Sequence, residues 1–188
     1  MFVLTGTASL FRADTLAAVT QSRGRNLPGS PGRVYDTVAL TEDNELTLAV
    51  RSLGADLLSP QECRVSTELM PTWGDLWRQR MRWQRGALEN IGAYGLTSAT
   101  ARYWMQQTAI GYGTVALWSF FAVTTISLLA GVLVVFPFWL AVGAVFWVER
   151  VTTVWRSGWV PRLLAATLVV ELAYDVFLQT VYLTSLFD

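Results

Sequence analysis

A long stretch without charge restricts what this chain can fold into. No Asp, Glu, Lys or Arg occurs between Arg102 and Glu149. About 20 apolar residues cross a bilayer as a helix, so this stretch is long enough for two crossings. A third candidate span covers residues 160–187 and carries Glu171 and Asp175. Because 53% of the 188 residues are also hydrophobic, the sequence predicts about three transmembrane helices.

Arginines are distributed unevenly around these predicted spans. They precede the first span and recur between the second and the third, whereas the turn near Pro137 has none. Basic residues favour the cytoplasmic side of a membrane. We therefore expect a multi-pass protein of the cell membrane whose soluble part is cytoplasmic.

The third predicted span has a polar face. Its members recur at spacings of four, four and three residues: Glu171, Asp175, Gln179 and Tyr182. Charged groups inside a membrane are costly, so this face should contact protein or a water-filled cavity. Packing with hydrogen-bonded partners and contact with a translocating polymer are the two interpretations.

The composition excludes several kinds of active site. The chain has no histidine, which excludes Ser-His-Asp triads, Cys-His dyads and histidine-ligated metals. Cys63 is the only cysteine, so the chain can form neither an internal disulfide nor a thiolate zinc cluster. Acid–base chemistry would depend on carboxylates or tyrosines.

The residues that precede the spans have a mixed pattern. Residues 1–6 and 34–40 have the apolar or extended character of strands. Residues 42–53 place apolar side chains at the i, i+3, i+4 and i+7 positions of an amphipathic helix, which Gly54 would end. We therefore expect residues 1–70 to form a soluble domain of mixed α/β structure.

Residues 71–108 have the pattern of amphipathic helices in a membrane interface. Pro71 and Thr72 would open the first helix, since proline is tolerated in a first turn. Its apolar residues share one broad side, and most of its arginines lie elsewhere. A second segment around residues 101–107 leads into the transmembrane region, residues 109–188.

Thr41, Glu42 and Asp43 fall at the start of a predicted helix. Unpaired backbone N–H groups and the helix dipole favour ionised carboxylates there, and an ionised carboxylate at a cleft edge is a candidate general base. The alternative is that Thr41 caps the helix and the acids only complement its dipole. Asp43 and Glu45 could also be taken for a metal-binding D-x-D pair, although an acidic pair on one turn is usually solvated.

Gln79, Arg82 and Trp83 lie at positions i, i+3 and i+4, on one face of the first interface helix. These side chains suit a ligand with a phosphate and a sugar, since arginine pairs with phosphate and tryptophan stacks on sugar rings. The alternative is a basic collar, in which the tryptophan lies among lipid headgroups and the arginines bind anionic lipid. The arginines assigned to a collar are Arg78, Arg80 and Arg85.

The order TED, then QRMRW, then membrane spans resembles the C-terminal half of the membrane-embedded glycosyltransferases of family 2, which include cellulose, hyaluronan, chitin and poly-N-acetylglucosamine synthases. VLTGTASLFRADTL resembles the family's acceptor-site segment, TED its catalytic-base motif and QRMRW its Q-x-x-R-W motif. The resemblance implies a partial GT-A-like catalytic domain before the interface helices and spans. It also implies an inverting enzyme that transfers a sugar from a nucleotide sugar to a growing polysaccharide or glycan acceptor.

The resemblance also implies roles for individual residues. Asp43 would be the catalytic base that takes the proton of the acceptor hydroxyl. Gln79, Arg82 and Trp83 would close over the nucleotide diphosphate and the acceptor end. The substrate-binding residues would be Gly6, Thr7, Glu42, Gln79, Arg82 and Trp83.

In that family a preceding half binds the nucleotide and carries the D-x-D motif for Mg or Mn. The resemblance therefore implies that this chain holds no metal or cofactor alone, is inactive alone and works with a complementary nucleotide-binding half. The other expected partners are the nucleotide sugar, the glycan acceptor and membrane lipid, without nucleic acid. Two further functions remain open: a non-catalytic membrane scaffold or degenerate paralogue, and a lipid-linked sugar transferase.

Overall fold

The computed structural model describes Leu4 and residues 8–60, 65–132 and 134–187. The chain is 67% helical, and its described residues form no β-strand or sheet. The prediction of an α/β fold with a partial GT-A-like domain is therefore wrong.

The segments predicted as strands show why. Residues 34–40 form a series of bends, and the described pairing in this part of the chain is an isolated bridge between Arg23 and Leu27. β-propensity measures how well side chains fit a pleated, half-buried surface, so an apolar segment becomes a strand only where a neighbouring strand pairs with it. The other predicted strand, residues 1–6, lies outside the described residues except for Leu4.

Seven α-helices are found in the described part of the chain. They are α1 Ala13–Ser22, α2 Glu42–Ser52, α3 Trp73–Tyr94, α4 Ala101–Leu129, α5 Pro137–Thr153, α6 Trp159–Thr167 and α7 Val169–Ser185, with a 3-10 turn at Trp155–Ser157. The chain divides into two compact units. The first comprises Met1–Gly111 with Val181–Asp188, and the second comprises Tyr112–Thr180.

The core of the first unit is built around α2. One apolar cluster consists of Val19, Leu27, Leu46, Ala49 and Val50. A second consists of Leu48, Ile91 and Tyr103. Because these clusters cover α2 on more than one side, all its residues from Glu45 to Val50 are buried. The helix predicted over residues 42–53 is confirmed.

The start of α3 also follows the prediction. Thr72 is its N-cap residue, and the Thr72 hydroxyl oxygen accepts a hydrogen bond from the Asp75 backbone N–H at 3.1 Å. The same hydroxyl donates to Asp75 Oδ2 at 2.6 Å. This pair satisfies one of the N–H groups that a helix start leaves without a partner. Gly95 follows the last residue of α3 with a φ of +67°, a conformation that favours glycine.

Among the described helices, α4 alone is long and apolar enough to cross a membrane by itself. α5 has 17 residues and is about 26 Å long at 1.5 Å per residue, less than the roughly 30 Å of a hydrocarbon core. α6 and α7 are bent by 68° at their break, where Leu168 has a φ of +54°.

The prediction of about three transmembrane helices is therefore wrong, and a multi-pass arrangement is not supported. The described helices provide one crossing, or two if the bent pair counts as one span. The prediction of an unbroken third span was wrong because Leu168, whose left-handed backbone conformation breaks the helix, is as apolar as its neighbours.

The second unit keeps its apolar side chains on its surface. No residue of α5 or α6 is buried, and Trp139 is 67% exposed. Polar groups in this unit pair with each other: Arg150 Nε lies 3.0 Å from Glu171 Oε1, and the Trp147 indole N–H donates to the Ala166 carbonyl at 2.9 Å. The ion pair gives Glu171 the partner that the packing interpretation of its face requires.

Candidate functional site

The TED motif lies against α3. Thr41, the N-cap residue of α2, is buried together with Asn90 of α3. The Asn90 side-chain amide donates to Thr41 Oγ1 at 3.1 Å and to the Thr41 carbonyl at 3.3 Å. In the described residues the Thr41 hydroxyl makes no capping bond within α2. Thr41 therefore occupies the cap position, but its side chain joins two helices.

Gly86 makes this approach possible. A Cβ added to Gly86 would lie 2.5 Å from Thr41 Oγ1 and 3.1 Å from Thr41 Cβ. Cβ atoms do not approach other unbonded atoms to 2.5 Å, so a side chain added here would force the Thr41 side chain to move. Glycine inside a helix costs up to about 1 kcal/mol relative to alanine, and at this position it permits a close contact between the two helices.

The carboxylates of the motif lie in the first turn of α2. Asp43 is half-buried, and its Oδ1 accepts a hydrogen bond from the Asn44 backbone N–H at 2.7 Å. Glu42 is exposed. Both side chains lie where the helix dipole and the unpaired N–H groups stabilise negative charge. Asp43 therefore lies in the first turn of a helix, as the sequence predicted.

The predicted ligand residues of α3 share a face with the residues that contact Thr41. Gln79, Arg82, Trp83, Gly86 and Asn90 follow one another at spacings of three, one, three and four. At 3.6 residues per turn they fall on one side of the helix. The face predicted to bind the nucleotide sugar therefore continues directly into the contact with the TED motif.

The exposure of this face suits a ligand. Arg82 is exposed and Gln79 is half-buried, and no described residue forms an ion pair or hydrogen bond with either side chain. Trp83 is 44% exposed. The Arg80 guanidinium lies 4.8 Å from the centre of the Trp83 ring, a cation–π distance. The collar assignment missed this role of Arg80, although its i, i+3 spacing to Trp83 was visible in the sequence.

The other two collar arginines are held within α3. Arg78 Nη2 pairs with Asp75 Oδ1 at 2.6 Å, and Arg85 Nε pairs with Glu89 Oε1 at 2.7 Å. Exposed pairs of this kind contribute little to stability. These ion pairs distinguish Arg78 and Arg85 from Arg82, whose guanidinium has no such partner in the described residues.

The remaining predicted site residues are less connected. Gly6 and Thr7 lie outside the described residues. Leu4 is described, and its backbone N–H donates to Thr47 Oγ1 of α2 at 2.9 Å. In the described part of the chain, no hydrogen bond or ion pair joins Asp43 to Gln79 or Arg82. The TED motif thus contacts α3 through Thr41, at Gly86 and Asn90, and not through Gln79 or Arg82.

A buried ion pair lies one turn further along α2. Arg23 and Glu45 are 1% and 2% exposed, with Arg23 Nη2 at 2.8 Å from Glu45 Oε2. The second guanidinium nitrogen also contacts this carboxylate, and the Tyr94 hydroxyl donates to it. Burial raises the pKa of Tyr94, and the hydrogen bond to Glu45 raises it further. Nothing in the sequence marks Arg23, which lies in a loop rich in glycine and proline.

This ion pair also decides the question of a metal at Asp43 and Glu45. A carboxylate that accepts from a guanidinium and a phenol inside the core is not available to a cation, so the D-x-D interpretation does not fit. The described residues contain no group of three or more His, Cys, Asp and Glu side chains that could hold a metal ion. We assign no metal ligand among the residues that the structure describes.

No protein-family model, curated protein or solved structure matches the chain.

Proposed function

We propose that this chain contributes the base and the acceptor side of a membrane-associated inverting glycosyltransferase. The observation that carries the proposal is the contact between Thr41 and the α3 residues Gly86 and Asn90. At this contact the TED motif packs against α3, the helix that also carries the QRMRW motif at residues 79–83.

In the proposed reaction, Asp43 takes the proton of an acceptor hydroxyl. The acceptor oxygen then attacks the anomeric carbon of a nucleotide sugar from the face opposite the nucleotide, and the nucleoside diphosphate leaves with the bonding electrons. Inversion follows from this single displacement. A carboxylate at this position suits the role of base because it is half-buried and within reach of solvent.

The α3 face supplies the other interactions. Arg82 has the planar set of donors that pairs with phosphate oxygens, and it is exposed without a competing partner in the described residues. Trp83 offers an indole surface for a sugar ring, and Gln79 offers an amide on the same face. Glu42, Gly6 and Thr7 complete the proposed contacts to the substrates. The nucleotide and its Mg or Mn would be held by a complementary half.

Membrane association in the proposal rests on α4. The arginines before this helix, together with Arg102 in its first turn, favour a cytoplasmic location for the residues that precede it. That location would give the site access to cytoplasmic nucleotide sugars.

The test is transfer from labelled nucleotide sugars by the full chain, co-expressed with the neighbouring upstream coding sequence. Asp43→Asn should lower kcat by at least about 100-fold, the contribution typical of a general base. Asp56→Asn, which removes an exposed carboxylate elsewhere on the first unit, should leave transfer unchanged. Full transfer by Asp43→Asn would refute the assignment of the base. A stable complex that turns over no nucleotide sugar would favour the scaffold instead.

A further inference from the structure

The first unit contains a cavity of about 710 Å³ at the end of α2 opposite the TED motif. The turn after α1, the C-terminal ends of α2 and α3 and the loop before α4 form its walls. Its polar side chains include Arg25, Asn26, Arg51, Ser52, Thr97 and Ser98. From Asp43 to Arg51 the distance along the axis of α2 is about 12 Å, so this cavity is separate from the proposed glycosyl-transfer site.

The charged side chains that line the cavity are all positive. Two arginines line it, and none of the described lining residues is acidic. Arg25 is exposed, and no described residue pairs with its guanidinium. Arg51 is half-buried and hydrogen-bonds the phenol of Tyr103. A phenol leaves most of the donors of a guanidinium available.

The turn that carries Arg25 is held in place by hydrogen bonds. The backbone N–H of Gly24 donates to the Leu27 carbonyl at 2.9 Å, and the buried Arg23 guanidinium donates to the Pro28 carbonyl at 2.7 Å. Tyr94, which also lines the cavity, donates its hydroxyl to Glu45. The turn and the helix ends are therefore fixed to the same buried ion pair, and the cavity is formed before any ligand arrives.

These features together specify a ligand class. Guanidinium groups pair with phosphate oxygens in a planar, two-bond geometry, and hydroxyl and amide groups can bind the remaining phosphate oxygens or an attached polyol. A carboxylate in the wall would repel such a ligand, and none is found there among the described residues. We propose that this cavity binds a phosphate group, carried either by a soluble phosphate ester or by a lipid headgroup.

The proposal is tested by calorimetric titration of the full chain in detergent with pyrophosphate. Arg25→Gln and the double variant Arg25→Gln with Arg51→Gln should each weaken binding by about tenfold or more, the loss typical of one or more charged hydrogen bonds. Arg33→Gln removes an exposed arginine that does not line the cavity and should change affinity less than about twofold. Arg25 is exposed and its guanidinium pairs with no described residue, so Arg25→Gln removes no described hydrogen bond or ion pair of the fold.

A second arm identifies the source of the phosphate. Native mass spectrometry would count the lipids retained after incubation with phosphatidylglycerol or phosphatidylcholine. Selective retention of phosphatidylglycerol that the arginine variants abolish, without pyrophosphate binding, would assign a lipid headgroup. Pyrophosphate binding that the variants weaken would assign a soluble ester. The proposal is wrong if neither probe depends on Arg25 and Arg51, or if Arg33→Gln weakens binding as much as they do.

Discussion

The two units of the molecule distribute polar and apolar groups in opposite ways. The first unit buries apolar clusters and, among them, the Arg23–Glu45 ion pair. The second unit exposes its large apolar side chains and pairs Arg150 with Glu171. A buried charge in the first unit must keep its partner because no water can replace it. The exposed apolar side chains of the second unit include those of α4 from residue 112 onward, and α4 is the described helix that is long and apolar enough to cross a membrane by itself.

The largest effect on this comparison is expected from removing one partner of the buried pair. Glu45→Ala leaves the Arg23 guanidinium buried without its carboxylate, which should lower the free energy of unfolding by about 3–5 kcal/mol. Glu89→Ala removes the exposed partner of Arg85 and should cost less than about 1 kcal/mol. Denaturant unfolding in detergent measures both. Equal losses would mean that the Arg23–Glu45 pair is not buried.

Replacing one exposed valine in each unit by arginine compares how the surfaces of the two units tolerate a charge. Val123 in α4 is 62% exposed, and Val38 in the first unit is 83% exposed. Val123→Arg should raise the apparent free energy of membrane insertion by about 2.5–3.5 kcal/mol, making insertion less favourable, if α4 crosses the bilayer. Val38→Arg should leave insertion unchanged. A glycosylation-mapped insertion assay compares them, and equal insertion of the two variants would contradict the assignment of α4.

Two glycines of α3 test the close contact within the first unit. Gly86→Ala places a Cβ against Thr41 and should destabilise the protein by about 1–3 kcal/mol. A Cβ at Gly92 meets no atom within 4 Å, so Gly92→Ala should stabilise it by up to about 1 kcal/mol. Thermal unfolding in detergent gives the sign of each change. Stabilisation by both would show that α2 does not approach α3 at Gly86.

The smallest expected effect is the change in the free energy of unfolding with pH. Because the pKa of Tyr94 is raised in the folded state, the unfolded chain releases this proton first as pH rises. The resulting stability is fully present below about pH 10, the ordinary tyrosine pKa, and it is lost as pH rises above that value. For this partly buried phenol the loss should stay below about 1.4 kcal/mol per pH unit. Tyr94→Phe should flatten the profile between pH 10 and 11, and an unchanged slope would place the phenol in solvent.

The helices of the first unit could be predicted because their residues carry the information locally. Apolar spacing marked α2, and Pro71 with Thr72 marked the start of α3. The strands could not be predicted from apolar character, since pairing depends on a neighbour elsewhere in the chain. Leu168 likewise gave no warning that it would break the third predicted span, because its side chain is as apolar as those around it.

The site was predictable in part. Helical spacing alone placed Gln79, Arg82 and Trp83 on one face. Gly86 inside the same helix was a local sign of a close approach, but its partner was not, because side-chain spacing does not reveal which element packs against a helix. Arg23 was missed for the same reason, since its carboxylate partner lies on another helix.

The contact between the TED motif and α3 is the central claim, and cross-linking tests it most directly. In a Cys63→Ser background, Thr41→Cys and Gly86→Cys place two Cβ atoms about 3.1 Å apart, close enough for a disulfide after a small adjustment toward the usual 3.5–4.5 Å or so. Mild oxidation should cross-link this pair and leave Thr41→Cys with Gly92→Cys reduced, as mass spectrometry of the cross-linked peptides would show. Failure of the first pair, or equal cross-linking of both, would contradict the contact on which the proposed site depends.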